Sequence, residues 1–222
     1  MEKRKHIVIL AAGDFPTHHI PLQALHDADF VVCCDSAYKA IRNEELGMRN
    51  YVVVGDGDSL SEQDKAALGD RWIHVPEQDY NDLHKAMCWA TAQFGIPNSE
   101  FRILAACGKR EDHTLGNISY LATFAEEYPG IDLEMLTNHG RFRIQNSEFR
   151  IQNYKSFPRQ QVSLFTLDPH TRVTATGLQW PLNDATLSPW WQGTLNSALS
   201  DSFTLTSDAP LLVFQTYDPK PL

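Results

Sequence analysis

Closely spaced carboxylates are the first feature of this sequence that could do chemistry. In "YVVVGDGDS", residues 51–59, three valines lead directly into Asp56 and Asp58, which alternate with glycines. Two like charges about 4 Å apart near a protein surface repel each other by roughly 4 kcal/mol. Taken alone, the pattern is more often a plain turn in which aspartate makes local hydrogen bonds. The alternative is a pair of cation ligands on a backbone that a second ligand can approach closely.

Further aspartates follow other apolar segments in the same way. Asp35 follows "FVVCC", Asp79 and Asp82 follow "WIHVPEQ", and Asp112 follows "FRILAACGKRE". Each could separately favour a turn or the start of a helix, but four such coincidences at successive segment ends are rarer than one. If the segments are parallel strands, their carboxyl ends share the edge where open α/β sheets bind ligands. Five or six carboxylates are therefore expected to converge there around a hard cation such as Mg²⁺, since no Cys or His cluster accompanies them.

Positive charges stand near these aspartates along the chain. Lys85 lies one turn after Asp82 in a helical pattern, and Lys109 and Arg110 follow a glycine at a segment end. Each alone is more often a solvated surface charge, but beside a metal site Arg110 is a candidate for bidentate phosphate contact. His113 is a candidate base or a structural residue in the first turn of a helix. The phosphate loop G-x-x-x-x-G-K-[ST] and the three-glycine dinucleotide fingerprint do not occur in the sequence.

The first half of the chain alternates between strand and helix patterns. Continuous apolar runs predict strands over 6–12, 30–34, 51–55, 72–75, 101–107 and 132–137, buried on both faces of a parallel sheet. Helices are predicted from Pro21, from Ser61 to Leu68, and from Asn81 as N-cap to Gly95. Another is predicted over 113–128 with an apolar stripe of Leu115, Ile118, Ala122 and Ala125. Residues 1–138 are thus expected to form an open, mostly parallel, Rossmann-like α/β sheet with helices on both faces.

The second half has the period-two pattern of antiparallel strands. Short alternating segments over 142–146, 149–153, 161–167, 172–178, 202–207 and 211–217 predict a β-sandwich over residues 139–222. The doubled "FRIQN" at 142 and 149 suggests a hairpin around residues 146–148. The irregular stretch 184–201 contains Trp190 and Trp191, and such a long loop in a compact domain is often functional.

Composition excludes some classes of partner. The 222 residues carry a net charge of −9, which argues against a nucleic-acid partner, and no apolar run approaches the roughly 20 residues of a membrane span. The four cysteines lie in apolar segments without C-x-x-C spacing, as is typical of reduced, buried thiols in a cytoplasmic protein. The short apolar stretch at the N-terminus fits a first buried strand better than a signal peptide.

Four motifs, in this order, resemble those of thiamine pyrophosphokinases. They are "GDGDS" at 55–59, "QDYNDLHKA" at 78–86, "GKREDHTLGN" at 108–117 and "GLQWPL" at 177–182. The resemblance implies a homodimeric enzyme with its active site between subunits and a C-terminal sandwich that contributes to the thiamine site and to dimerisation. It implies transfer of the pyrophosphoryl group of ATP to the hydroxyl of thiamine, giving thiamine diphosphate and AMP.

The resemblance also implies roles for individual residues. The expected metal ligands and catalytic carboxylates are Asp56, Asp58, Asp82 and Asp112, with Asp82 also near the thiamine hydroxyl as a candidate base. The residues expected to bind ATP are Asp35, Lys85, Lys109, Arg110 and His113. Those expected to contact thiamine are Gln78, Asp79, Asn196 and Trp191, although either Trp190 or Trp191 could stack on the substrate or simply pack in the sandwich.

The sequence departs from the family pattern at three places. "CDSAYKA" stands where glycines usually follow the second-strand aspartate, Asn81 replaces a threonine, and Leu195 replaces a serine. Three other functions stay open: a pyrophosphokinase acting on another alcohol such as a hydroxymethylpterin, a Mg-nucleotide-binding regulator without turnover, and a metal-dependent phosphatase. The phosphatase would be expected to carry a D-x-D motif after its first strand, where this chain has only Asp14.

Overall fold

A computed structural model describes residues 4–41, 50–146 and 151–220 of the chain. The chain divides into two compact units, an N-terminal unit of residues 1–138 and a C-terminal unit of residues 139–222. None of the helices in the described residues has the length and apolar content needed to cross a bilayer.

The N-terminal unit is built on a parallel sheet. Its described strands are β1 (Lys5–Leu10), β2 (Phe30–Cys34), β3 (Tyr51–Gly55), β4 (Trp72–His74), β5 (Ser99–Leu104) and β6 (Leu133–Leu136). They pair in the order β6-β5-β1-β2-β3-β4, and each pair is parallel. From β1 the chain winds outward to β4 and then returns to β5 on the other side of β1. The strand order therefore reverses between β1 and β5, and such a switch point is where open α/β sheets bind ligands.

Five helices connect these strands in the described residues: α1 (His19–His26), α2 (Tyr38–Ile41), α3 (Glu62–Leu68), α4 (Asp82–Phe94) and α5 (Glu111–Glu127). α3 begins with a capping box, because the Ser61 hydroxyl accepts the Asp64 N–H while the Asp64 carboxylate accepts the Ser61 N–H. α4 begins after the N-cap Asn81 and ends before the C-cap Gly95, as predicted. α1 begins two residues before Pro21.

The buried stripe predicted for α5 is wrong. Leu115 is 59% exposed, and the helix instead buries Leu121 and Phe124. Both faces of α5 carry apolar residues, and the face with Leu121 and Phe124 removes more apolar area from water than one that relies on two alanines. The sheet itself is buried on both faces, since Ile7 and Ile9 on one side and Val8 and Leu10 on the other are all at most 1% exposed.

The C-terminal unit is an antiparallel β-sandwich. Its described strands are β7 (Gly140–Gln145), β8 (Ile151–Lys155), β9 (Gln160–Thr166), β10 (Val173–Thr176), β11 (Leu182–Ala185), β12 (Asn196–Ser197), β13 (Ser202–Ser207) and β14 (Leu211–Pro219). One sheet has the order β12-β9-β14-β7 and the other β11-β10-β13-β8. Leu164 and Val213 of the first sheet share a core cluster with Val173 and Leu205 of the second. The fold class predicted from the sequence is confirmed.

The hairpin predicted from the doubled "FRIQN" is wrong. β7 pairs with β14, whereas β8 pairs with β13 in the opposite sheet. Residues 147 and 148 of the expected turn lie outside the described residues. β7 and β8 lie in different sheets, and the hydroxyl of Tyr154, the residue after the second copy, donates to Gln145 Oε1 of the first at 3.2 Å. Period-two alternation requires only that one face of each strand be buried, and a facing sheet meets that requirement as well as a hairpin partner does.

Candidate active site

Three carboxylates meet at the carboxyl edge of the N-terminal sheet. Asp35 follows β2, Asp56 follows β3 and Asp82 opens α4, and one oxygen from each lies within 4.8 Å of the other two. Asp35 is buried, while Asp56 and Asp82 are half-buried. Residues from three separate segments thus form what is called here the carboxylate group.

Asp35 holds the loop that carries Asp56. Its carboxylate accepts hydrogen bonds from the backbone N–H groups of Gly57 at 3.1 Å and Ser59 at 3.2 Å, and from the Ser59 hydroxyl at 2.8 Å. Asp35 itself has a φ of 40°, a left-handed conformation that aspartate tolerates better than most residues. The loop after β3 is therefore fastened to the end of β2 through one side chain.

Gly55 is required for the carboxylates to come together. A Cβ at this position would lie 2.4 Å from Asp35 Oδ1 and 3.1 Å from Asp82 Oδ1. Gly57 has a φ of 81°, and a Cβ there would lie 2.8 Å from the Trp72 ring. The first glycine of the motif thus makes room for side chains of the site, whereas the sequence interpretation had it make room for a ligand.

A buried lysine compensates part of the negative charge. Lys85 Nζ lies 3.4 Å from Asp56 Oδ2 and 3.4 Å from Asp82 Oδ1, and its side chain is only 2% exposed. Burial lowers the pKa of Lys85, but the charges of Asp82 and Asp56 outweigh it and raise the pKa overall. Lys85 stays an ammonium ion. Lys85 lies between two members of the carboxylate group, and its role toward ATP stays a prediction.

The carboxylates differ in proton affinity. Burial, together with the charges of Asp35 and Asp56, raises the pKa of Asp82, and Lys85 opposes this shift only in part. The pKa of Asp56 is lowered, first by a hydrogen bond from the Asp58 N–H and then by the Gln78 amide and Lys85, against the effect of burial. Asp82 therefore binds a proton more readily than an ordinary aspartate, and Asp56 less readily.

The donor set fits a divalent cation. With all three carboxylates ionised, the ammonium of Lys85 leaves the group with a charge of −2. Its ligand atoms are carboxylate oxygens, the donors that hard ions such as Mg²⁺ prefer. Such an ion would remove the repulsion that Lys85 does not.

Two of the predicted metal ligands lie outside this group. Asp58 is exposed, and its backbone N–H, not its side chain, reaches Asp56 at 3.0 Å. The Asp112 side chain is 63% exposed and is bound by the guanidinium of Arg110 through two contacts, at 3.1 and 2.5 Å. Asp35, predicted to bind ATP, is a member of the group, and its role toward ATP stays a prediction.

The two predicted substrate ligands near residue 80 differ in position. Gln78 donates from its side-chain amide to Asp56 Oδ2 at 3.1 Å, so it contacts the carboxylate group. Asp79 is exposed, and its backbone N–H is bound by the Glu77 carboxylate. The role of each toward substrate stays a prediction.

A second feature lies at the switch point between β1 and β5. A cavity of about 340 Å³, called here the switch-point cavity, is lined by residues that include Gly13, Lys109, Arg110, His113 and Asn117. The three residues of the "GKREDH" motif predicted to bind ATP are therefore brought together. Lys109 Nζ donates to the carbonyl oxygen of Ala12 at 2.6 Å. α5 begins at this cavity, and no side chain caps it at Arg110. The His113 N–H donates to Asp112 Oδ1 at 2.9 Å, which leaves the N–H groups of Glu111 and Asp112 to face an anion.

A chain of amide hydrogen bonds joins the two features. Asn117 of α5 donates to the Ala106 carbonyl at the cavity at 2.8 Å and accepts from the side chain of Asn81 at 3.2 Å. Asn81 caps α4, the helix that carries Asp82 and Lys85. The sequence analysis gave Asn117 no role, although it closes the "GKREDHTLGN" motif, two helical turns after Arg110.

In the C-terminal unit, Asn196 is a backbone anchor. Its side-chain amide donates to the Trp180 carbonyl at 2.7 Å and accepts the Trp180 N–H at 3.1 Å. Asn196 is buried, and Trp180 is 53% exposed. Asn196 thus fixes Trp180 of the "GLQWPL" motif, and its contact with substrate stays a prediction. Trp191 is exposed as well, while the Trp190 indole donates to the Thr166 carbonyl.

Comparison with known proteins gives two family matches that together cover most of the chain. The family model described as thiamin pyrophosphokinase, catalytic domain, matches residues 22–133, and the one described as thiamin pyrophosphokinase, substrate-binding domain, matches residues 144–214.

Individual relatives carry similar names. The chain is 32% identical to thiamin pyrophosphokinase 1 of Caenorhabditis elegans, over 34% of this chain and 32% of that protein. It is 27% identical to thiamine pyrophosphokinase 3 of Oryza sativa subsp. japonica, over 72% of this chain and 64% of that protein. The chain therefore spans about a third of the length of the first relative and about two thirds of the length of the second.

Solved structures share the fold over nearly the whole chain. The thiamine pyrophosphokinase of Bacillus subtilis superposes with a TM-score of 0.75 at 20% identity, covering 96% of this chain and 99% of that one. The thiamin pyrophosphokinase of Candida albicans gives 0.78 at 17% identity, covering 96% and 90%.

Proposed function

The chain belongs to the thiamin pyrophosphokinase family, and we propose that it transfers the pyrophosphoryl group of ATP to the hydroxyl of thiamine, giving thiamine diphosphate and AMP. In this reaction the thiamine oxygen bonds to the β-phosphorus of ATP while the bond from that phosphorus to the AMP oxygen breaks. The observation that carries the proposal is the carboxylate group at the sheet edge, with Asp35, Asp56 and Asp82 from three segments around the ammonium of Lys85. Positioning and charge neutralisation are what phosphoryl transfer mainly requires of a protein.

ATP is proposed to place its phosphates at the switch-point cavity. The cavity of about 340 Å³ is lined by Lys109, Arg110 and His113 and adjoins the start of α5. Arg110 donates to Asp112 from Nε and one terminal nitrogen, so its other terminal nitrogen is proposed to donate to phosphate oxygens in the cavity that it lines. The hydrogen bond between Asn81 and Asn117 holds the start of α4 next to this cavity.

Mg²⁺ is proposed to bind the carboxylate group, with Asp56 and Asp82 as ligands and Asp35 within reach. When bound, Mg²⁺ shields the charge of the phosphates and stabilises the departing AMP. Ligation by Asp58 and Asp112 stays a prediction from the resemblance. Asp82 is proposed to accept the proton of the thiamine hydroxyl, because burial raises the pKa of its carboxyl group.

The C-terminal unit is proposed to supply aromatic surface to thiamine. Trp180 and Trp191 are exposed, and Asn196 fixes the backbone of Trp180. Flat, rigid rings of this kind stack on heteroaromatic ligands. The homodimer and the cytoplasmic location implied by the resemblance and the composition belong to the same proposal.

Incubation of the chain with ATP, Mg²⁺ and thiamine tests the function directly. We expect AMP and thiamine diphosphate in equal amounts, and no product when EDTA replaces Mg²⁺. Formation of ADP or phosphate, or ATP binding without turnover, would instead indicate one of the other functions considered above. A hydroxymethylpterin serves as competing acceptor. Asp82→Asn should abolish AMP formation, whereas Asp70→Asn, an exposed aspartate between α3 and β4, should leave it unchanged.

A further inference from the structure

The inner face of one sheet in the C-terminal unit changes from apolar to polar along its strands. On β14, Leu211 and Val213 belong to the sandwich core, but the next residue on that face is Gln215, a buried polar side chain. On β7, Arg143 pairs with Val213 and Arg141 pairs with Gln215. Paired residues in antiparallel strands share a face, so both arginines lie on the side that is apolar elsewhere.

This polar region lines a cavity of about 400 Å³. Besides the two arginines and Gln215, its wall includes Gln160 of β9 and Asn153 and Lys155 of β8. β8 is the edge strand of the second sheet, so the cavity lies at the margin of the sandwich and not in its core. All residues that line it belong to the C-terminal unit. It shares none with the carboxylate group or the switch-point cavity.

The two glutamines give the cavity a fixed floor. The Gln215 amide donates to the Lys155 carbonyl at 3.0 Å and to Gln160 Oε1 at 3.0 Å, and the Gln160 amide donates to the Thr216 carbonyl at 2.6 Å. These bonds also hold the backbone of Lys155. The guanidinium of Arg141 lies 5.6 Å from the centre of the Tyr217 ring, which restrains its plane. The cavity is thus built before any ligand enters it.

The charged side chains that line the cavity all have the sign opposite to the net charge of the protein. Three of the lining residues, Arg141, Arg143 and Lys155, are cationic, and none of the lining residues is acidic. The C-terminal unit contains seven Lys and Arg residues in all, so nearly half of them gather here, in a chain with a net charge of −9. A guanidinium group binds phosphate through two parallel hydrogen bonds. Cavities of roughly 300 to 1,000 Å³ are the usual size for small-molecule sites.

We propose that this cavity is a binding site for a small molecule that carries a diphosphate group. The N–H donors of two guanidinium groups and one ammonium group outnumber those that one phosphate needs, so they favour two linked phosphates over a single one. The site lies outside the proposed catalytic machinery, and its occupancy does not depend on the reaction. Inorganic pyrophosphate, ADP and thiamine diphosphate share the required chemistry and are the sources to be distinguished.

Calorimetric titration of the full chain with pyrophosphate tests the proposal, in EDTA and at about 150 mM salt so that long-range attraction is screened. We expect Lys155→Met to weaken binding at least about tenfold, the effect of losing one charge-assisted contact. Lys220→Met is the matched control, since Lys220 is the other lysine of the C-terminal unit and does not line the cavity. Arg143→Gln should act like Lys155→Met. Titrations with ADP and thiamine diphosphate then show which source binds most tightly.

Hydrogen exchange locates the bound anion. The proposal predicts that pyrophosphate slows exchange in peptides covering β7 and β8, with or without an added Arg110→Gln substitution in the switch-point cavity. No binding of any of the three ligands would overturn it, as would equal affinities for wild type, Lys155→Met and Arg143→Gln. Equal weakening by Lys155→Met and Lys220→Met, or protection confined to residues 106–117, would overturn it too. Binding is compared only among variants whose melting temperature matches that of wild type. If Lys155→Met does not fold, the affinity of Arg143→Gln and the exchange pattern of wild type decide.

Discussion

At the scale of single residues, the carboxylate group depends on the absence of a Cβ at Gly55 as much as on the carboxylates of Asp35 and Asp82. A Cβ on residue 55 would lie 2.4 Å from Asp35 Oδ1 and 3.1 Å from Asp82 Oδ1. Asp35 is in turn held by three hydrogen bonds from the loop after β3, so it cannot move away without releasing that loop. The group is therefore a rigid arrangement in which one added carbon has no room.

Gly55→Ala tests this geometry. The new methyl group must push Asp35 or Asp82 aside, which we expect to lower the free energy of unfolding by about 1–3 kcal/mol and the rate of AMP formation at least about tenfold. Thermal melting and a steady-state assay measure the two effects.

Gly116→Ala provides the matched control. Gly116 lies inside α5, and nothing stands within 4 Å of the Cβ it lacks. There the substitution should stabilise the protein by about 0.5–1 kcal/mol, because alanine loses less entropy in a helix. If Gly55→Ala were as harmless as Gly116→Ala, the carboxylates would not be in the contact that the structure shows.

At the scale of the elements, α3 is fixed by Asp64. The carboxylate of Asp64 accepts a hydrogen bond from the Tyr38 hydroxyl, pairs with Lys39 at 2.9 Å and closes the capping box with Ser61. These contacts, that with Tyr38 first, hold the pKa of Asp64 well below its usual range. A carboxylate with a lowered pKa stabilises the fold fully above its ordinary pKa, and this contribution is lost as pH falls toward the folded value.

Asp64→Asn should therefore remove an acid-sensitive part of the stability. Wild type is expected to lose stability steeply as pH falls below about 4, the ordinary range of an aspartate, and the variant to lose less over the same interval. At neutral pH the variant should be the less stable of the two. Denaturant titrations at a series of pH values measure both differences. Asp70→Asn, an exposed neighbour, should follow wild type, and an identical slope for Asp64→Asn would count against the proposed role.

The contact between α4 and α5 is the second test at this scale. Asn117 bonds both the N-cap of α4 and the carbonyl of Ala106 at the switch-point cavity. Asn117→Ala removes both bonds, and we expect kcat to fall by about tenfold, because Asp82 and Lys85 move with the start of α4. Lost hydrogen bonds of this kind cost about 0.5–1.5 kcal/mol each, so the fold should survive. Ser119→Ala in the same helix should leave kcat unchanged, since its hydroxyl bonds only within α5.

At the scale of the whole molecule, the sequence predicted what depends on pattern and missed what depends on packing. Continuous apolar runs identified the parallel strands, and the rule that carboxyl ends share an edge brought Asp56 and Asp82 together. The burial of Lys85 and the anchoring role of Asp35 depend on where each chain segment turns after its strand, which residue types alone do not specify. The same reason explains the wrong face of α5 and the wrong partner of β7, since several partners satisfy one periodicity.

The carboxylate group carries an excess of negative charge that a bound divalent cation would neutralise. Burial raises the pKa of Asp82, and a carboxyl group with a raised pKa stabilises the fold only at low pH and loses that contribution as pH rises through the folded value. At neutral pH without metal, the ionised Asp82 therefore works against folding. A bound divalent ion reverses this, and it stabilises the folded protein by about 2.7 kcal/mol at one hundred times its dissociation constant.

Asp82→Asn should consequently shift stability in opposite directions with and without metal. In EDTA at pH 7 we expect the variant to melt at a higher temperature than wild type, because it buries no charge at this position. Addition of Mg²⁺ should raise the melting temperature of wild type by several degrees and that of the variant much less, so that the difference closes or changes sign. Asp70→Asn should respond to Mg²⁺ as wild type does. An equal gain for Asp82→Asn and wild type would mean that the metal binds elsewhere, and the carboxylate group would then have to be explained by its lysine alone.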